Sequence, residues 1–194
     1  MKFDIILSGV GGQGTLSVAA IIASAALKEG LTVRQSEIHG MSQRGGAVVS
    51  HLRLADHPIA GDLIPVGSGE LLLSMEPLES LRHLSYLSPQ GRLITASEGV
   101  ENIAVYPDME KIQEAIRSQP GSDIVDAKAL AKEAGSLKAV NIVMVGAASS
   151  VIPISDANFL SAIDERFASK GESVQQVNRK AFELGSGLFS RMVP

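Results

Sequence analysis

Residues 9–14 read Gly-Val-Gly-Gly-Gln-Gly, directly after the largely apolar run Phe3–Leu7 and directly before a long alanine-rich stretch. A strand, a glycine turn and a helix start in that order can cradle an anion. Glycine lets the backbone take positive φ and come close to a ligand, and the first turn of a helix offers unpaired N–H donors with partial positive charge. Gly9, Gly11, Gly12, Gln13 and Gly14 are therefore candidates for binding phosphate, or for receiving a partner seated against the turn.

A second cluster, Ser36–Gly46, contains Glu37, His39, Ser42, Gln43 and Arg44 between glycines. Arg44 could fork onto phosphate oxygens, with Ser42 and Gln43 adding donors. Glu37, His39 and Gln43 are candidates to face a substrate or an interface. Glu37 and His39 are too few to hold a metal and have no Ser or Cys nucleophile motif beside them, so no metal site and no catalytic residue is assigned. Gly9-x-Gly11-x-x-Gly14 also satisfies the dinucleotide fingerprint. That fingerprint wants an acid at the end of the second strand, and Glu37 falls past the expected strand end, so a free-standing NAD(P)-dependent dehydrogenase fits poorly. A non-enzymatic nucleotide-binding or assembly module is a third reading.

The elements that must position these residues follow from periodicity. Thr15–Glu29 reads as a helix closed by Gly30, apolar on most sides, with Leu31–Gln35 as the second strand of a Rossmann-like βαβ unit. Ala47–Leu54 alternates like a strand. The connection before it is too short for a parallel crossover, so it should run antiparallel to a neighbour in a mixed sheet. Strands are expected at Leu71–Ser74, Gly91–Ala96 and Ile103–Tyr106. Helices are expected near Pro77–Leu84, at Asp108–Arg117, from Asp126 to Gly135, at Val140–Val151, at Ser155–Ala168 and at Ser173–Ser190. Among the histidines, His51 reads as a packing residue, while His57 and His83 read as surface residues. The whole predicts an α/β three-layer αβα sandwich with a mixed sheet, a single domain over residues 1–194.

Composition excludes several classes. Net charge is −4 with no Lys/Arg block, and there is no Trp, which argues against a nucleic-acid partner. Zero Cys rules out disulfides and thiolate-held clusters within these residues. The longest apolar run, Leu16–Leu27, is too short to span a bilayer, and a strand is expected from residue 3, so no membrane association and a cytoplasmic location are expected.

Together the two clusters carry a resemblance. Gly11-Gly12-Gln13-Gly14 after the first strand, with Glu37-x-His39-Gly40-Met41-Ser42-Gln43-Arg44-Gly45-Gly46, resembles the gamma-type domain of the 2-oxoacid:ferredoxin oxidoreductases. The His-Gly-Met-Ser-Gln-Arg-Gly-Gly version is most similar to the beta (small) subunits of the indolepyruvate branch, as are Leu71–Glu79 and Asn141-x-x-Met144-x-Gly146-Ala147. The resemblance implies decarboxylation of an aryl-pyruvate on thiamine diphosphate, electron transfer through iron–sulfur clusters to ferredoxin, and capture of the acyl group by coenzyme A. This chain has no Cys, and Gly61-Asp62-Leu63 departs from a Gly-Asp-Gly thiamine motif. The resemblance thus puts both cofactors on a larger partner subunit, leaving this chain a coenzyme A-binding or subunit-contacting glycine loop.

Purified alone, the chain is expected to be colourless and unable to reduce ferredoxin or a viologen with an aryl-pyruvate. Visible absorbance, or dye reduction by the isolated chain, would contradict the reading.

Overall fold

A computed structural model describes residues 1–39 and 45–189. One six-stranded sheet runs through it, formed by β1 (Lys2–Val10), β2 (Thr32–His39), β3 (Ala47–Ala55), β4 (Gly69–Ser74), β5 (Leu87–Ala96) and β6 (Ser122–Val125), in the order β2-β3-β1-β4-β5-β6. β3 is antiparallel to both β1 and β2, and the other neighbours are parallel. The mixed sheet is as expected, with one correction: β3 is inserted between β1 and β2, so the first two strands are not neighbours. The tail of the second loop turns straight back along β1, from Val10 opposite Ala47 to Lys2 opposite Ala55. The strand expected at Ile103–Tyr106 is absent; the sixth strand is Ser122–Val125, whose short mixed sequence carries little alternation.

Alternation along the strands sends side chains to two helical layers. Ile5, Leu7, Leu71, Leu73 and Ile94 pack with α1 (Thr15–Lys28), α4 (Ala127–Ala134), α5 (Val140–Ser149), α6 (Asp156–Phe167) and α7 (Glu172–Ser186). Ile6, Leu72 and Leu93 pack on the other face with α2 (Pro77–Arg82), α3 (Met109–Arg117) and Ile64. Start and stop residues mark these helices. Asp108 and Asp126 accept N–H bonds as caps of α3 and α4, and Gly30 and Gly135 take φ of 83° and 114° just past α1 and α4. Among the described residues, no helix is long and apolar enough to cross a membrane.

Two buried polar arrangements tie the strands together. Asp4 is fully buried in β1; its carboxylate accepts from Arg53 Nε at 2.9 Å and from Lys2 Nζ at 2.8 Å, and Arg53 Nη1 reaches the carbonyl oxygens of Gly61 and Leu63. His51, buried as expected, accepts the Ile64 N–H on Nδ1, and burial lowers its pKa. His83 corrects the surface reading. Its Nε2 is buried, its ring stands edge-on to Tyr86, and burial again lowers its pKa.

The apolar stripe of α7 points inward. Ala181 and Phe182 are fully buried and Val177 and Leu184 partly so, against α4 and α5. The α5–α7 crossing is set by two glycines. A Cβ built on Gly146 would lie 2.2 Å from the Phe182 carbonyl oxygen, and one on Gly185 only 2.1 Å from that of Val143. Helix propensity alone favours alanine over glycine by about 1 kcal/mol. Here backbone contact reverses the sign, and Gly146→Ala or Gly185→Ala should cost about 3 kcal/mol in urea unfolding. A neutral or stabilising alanine would show that the two helices do not touch this closely.

Candidate functional site

Crossovers leave β1 toward β2 on one side and β4 toward β5 on the other, so the C-terminal ends of β1 and β4 form the switch point where open α/β sheets hold ligands. The Gly9–Gly14 turn sits there, and its shape is set from inside. Gln13 Oε1 accepts the Val10 N–H at 2.8 Å, and Gln13 Nε2 donates to the Met75 carbonyl, at the end of β4, at 3.0 Å. Gln13 thus braces the turn through its side chain. Gly9 is a glycine for the same reason: its Cβ would meet Thr15 Oγ1 at 2.9 Å, Gln13 Oε1 at 3.1 Å and Met75 Cβ at 3.2 Å.

The turn is also tied to the far end of the second cluster. Gly11 N–H donates to the Gly46 carbonyl at 2.8 Å, and Gly45 N–H donates to the Gly11 carbonyl at 3.3 Å. The structure therefore brings the two glycine clusters together through their backbones. These bonds, with Gln13 N–H to Val10 O at 3.0 Å, use the Gly11 and Gln13 donors that a ligand was expected to take. Among the described residues, the N–H groups of Gly12, Gly14, Thr15 and Leu16 donate to no backbone acceptor. Gly14, at φ 79°, caps α1 with no side-chain bond, and Gly12 takes φ 105° with nothing within 4 Å of its Cβ position. The four residues that carry these donors line a shallow cavity of about 310 Å³, together with Gly11, Ser17 and Val48. On the other side of the turn, Gln13, Met75, Ser97, Lys128 and Val140 line a pocket of about 250 Å³.

Ser42, Gln43 and Arg44 lie outside the described residues. Glu37 and His39 are not loop residues: β2 runs through His39, and the two stand opposite Ser50 and Val48 of β3. Glu37 also accepts from Gln35 Nε2 at 2.7 Å. The strand runs on past Gln35 because β3 returns alongside it and pairs every residue.

Three positioning residues were given no structural role by the sequence reading. Asn141, in the first turn of α5, packs where a Gly14 side chain would be, its Nδ2 2.1 Å from that Cβ position. Asn102 Nδ2 donates to the Gly45 carbonyl at 2.7 Å and holds the end of the second cluster. The segment around Asn102 hangs in turn on Glu76, whose carboxylate accepts from Val100 N at 3.2 Å, from the Tyr106 hydroxyl, and from Glu79 N at 2.8 Å as the cap of α2. Burial and the Glu76 carboxylate hold the Tyr106 phenol well above its ordinary pKa, so it stays a donor. Burial likewise raises the Glu79 carboxyl. The one sequence signal for Glu76 was its place immediately before Pro77, a helix-capping position.

Known proteins resemble this chain in sequence and fold. The family model described as "Pyruvate ferredoxin/flavodoxin oxidoreductase" matches residues 4–188. "Indolepyruvate oxidoreductase subunit IorB" of Pyrococcus horikoshii is 36% identical over 194 residues, covering 95% of this chain and 94% of that one. The protein of the same name from Thermococcus kodakarensis is 34% identical with the same coverage. A crystal structure of a keto/oxoacid ferredoxin oxidoreductase gamma subunit from Geobacter sulfurreducens superposes with TM-score 0.69 at 26% identity, covering 94% of this chain and 95% of that one. The 2-oxoglutarate:ferredoxin oxidoreductase of Magnetococcus marinus, solved with 2-oxoglutarate, coenzyme A and succinyl-CoA bound, shares the fold with TM-score 0.78 at 22% identity. This chain covers all of itself but only 32% of that longer chain. The chain belongs to the pyruvate ferredoxin/flavodoxin oxidoreductase family. In length it corresponds to the separate small subunits of 2-oxoacid oxidoreductases rather than to the long chain.

Gln13→Ala removes a partner from one part-buried N–H and one part-buried carbonyl, and should cost about 2 kcal/mol in urea unfolding while accelerating amide exchange at Val10. A loss under about 0.5 kcal/mol would show that the turn holds its shape without the brace.

Proposed function

We propose that the chain is the small subunit of an enzyme that oxidatively decarboxylates an aryl 2-oxoacid, indolepyruvate in the first instance, to an acyl-coenzyme A. Residues 1–194 act in it as one domain, and the glycine turn receives the anionic part of coenzyme A. The observation that carries this reading is the set of N–H groups on Gly12, Gly14, Thr15 and Leu16 that donate to no backbone acceptor among the described residues, at the positive end of the 14-residue helix α1. Arg44, in the cluster whose end is bonded to Gly11, supplies the fork that charge-assisted recognition of phosphate favours. The names of the relatives support the substrate, and the bound coenzyme A of the Magnetococcus structure supports the acyl acceptor.

Thiamine diphosphate and iron–sulfur clusters belong to a larger partner subunit, which passes electrons to ferredoxin. The composition supports this reading: the chain has no Cys to ligate a cluster. When bound, the diphosphate cofactor supplies the carbanion chemistry of decarboxylation. The residues of this chain hold the thiol acceptor by its phosphates and orient it.

A second reading rests on a different observation. Leu16 and Leu137, each lining one of the two pockets flanking the turn, are 42% and 53% exposed, which suits a protein partner seated over it. One set of variants separates the readings. In the assembled enzyme, Arg44→Ala should raise the apparent KM for coenzyme A roughly 10- to 150-fold, the loss of one charge-assisted contact. Gly12→Val should do worse, since a β-branched residue resists φ 105° and blocks the approach. Unchanged coenzyme A kinetics with dissociated subunits would assign the turn to assembly instead.

A further inference from the structure

The short turn Leu137–Ala139 has a cavity on each side. Leu137 and Val140 wall the pocket at the sheet edge, while Lys138 and Ala139 wall a larger cavity of about 480 Å³ on the helical layer. The far walls of this second cavity are Phe167 at the end of α6 and Val174 and Val177 on α7, with Lys170 at its rim. Its interior is mostly apolar: Ala139 is buried, Phe167 and Val177 pack on the main core, and the buried Asn178 on its wall spends its Nδ2 on the Val174 carbonyl.

Its charge is of one sign. Lys138 and Lys170 are both exposed, and neither ammonium has an ion-pair partner among the described residues. The acid beside them in the chain, Glu172, faces a different cavity with Arg179 and accepts from Gln176 Nε2. Two unpaired ammonium groups over an apolar hollow fit one ligand chemistry. A bare phosphate would find no guanidinium fork and no desolvated donors, and a neutral hydrocarbon would leave both charges unused.

We propose that this cavity binds a small amphipathic carboxylate, its head between Lys138 and Lys170 and its alkyl or aryl body against Phe167, Val174 and Val177. An occupant braces the turn from behind, and so sets the position of Leu137 and Val140 in the pocket at the sheet edge. The site stands independently of the coenzyme A reading, because none of its residues belongs to the glycine turn.

Calorimetric titration of the full chain tests it with decanoate as the alkyl arm and indole-3-acetate as the aryl arm. Acetate and 1-decanol isolate the head and the body. One site per chain is expected for at least one amphipathic arm, with Kd on the order of 100 µM for ligands of this size, and none for acetate or decanol. Whichever arm binds more tightly identifies the body the cavity takes. In the Lys138→Glu, Lys170→Glu double variant, its fold checked by circular dichroism, binding should weaken roughly 5- to 10-fold per lysine. Both positions are exposed, so the fold should survive the change. Absence of binding by both arms, equal binding of decanol, or unchanged affinity in the double variant would each overturn the proposal.

Discussion

The side chain of Gln13 holds the C-terminal edge of this sheet in shape. β1 and β4 are parallel neighbours whose pairing ends at Ser8 and Ser74, with the Met75 N–H on the Ser8 carbonyl as the last backbone bond between them. Gln13 joins the two strand ends beyond it, accepting from Val10 and donating to Met75, and it fixes where Gly12 and Gly14 place their amides. A glycine turn has the conformational freedom to present donors, and the same freedom would let it collapse. The amide brace removes the freedom while leaving the donors open.

Around this brace the rest of the molecule acts as support. Asn141 brings α5 against Gly14, and α5 is itself seated by the Gly146–Gly185 crossing with α7, so the second helical layer reaches the turn through two close contacts. From the opposite layer, Glu76 caps α2 and holds Val100 and Tyr106, which places Asn102 on the Gly45 carbonyl. Both layers thus converge on a few backbone groups. That convergence explains why a family member with no cysteine and no thiamine motif keeps an ordered edge at its switch point.

Much of this architecture was legible in the residues. Capping aspartates, closing glycines and periodicity marked most helices within one or two positions, and the short connection before Ala47 required an antiparallel strand. The errors have physical causes. The stretch after Gln35 looks like loop because Ser36, Glu37 and Ile38 lie on an edge strand and are all exposed or only half-buried, so no apolar alternation marks it. At the site, the sequence announced where the glycines were but not which amides were already committed. The Gly11–Gly46 bond joins residues far apart in the chain, and no local pattern records it. Glu76 and Asn102 act through similarly distant contacts.

The central claim is that the open amides of the glycine turn receive an anionic ligand and not only a neighbouring protein. Hydrogen–deuterium exchange over residues 9–18, compared in the isolated chain, in the assembled enzyme and in the assembled enzyme with coenzyme A, tests it most directly. The account predicts that coenzyme A slows exchange at Gly12, Gly14, Thr15 and Leu16 beyond any protection that assembly brings. Full protection on assembly, with no further change when coenzyme A is added, would contradict it.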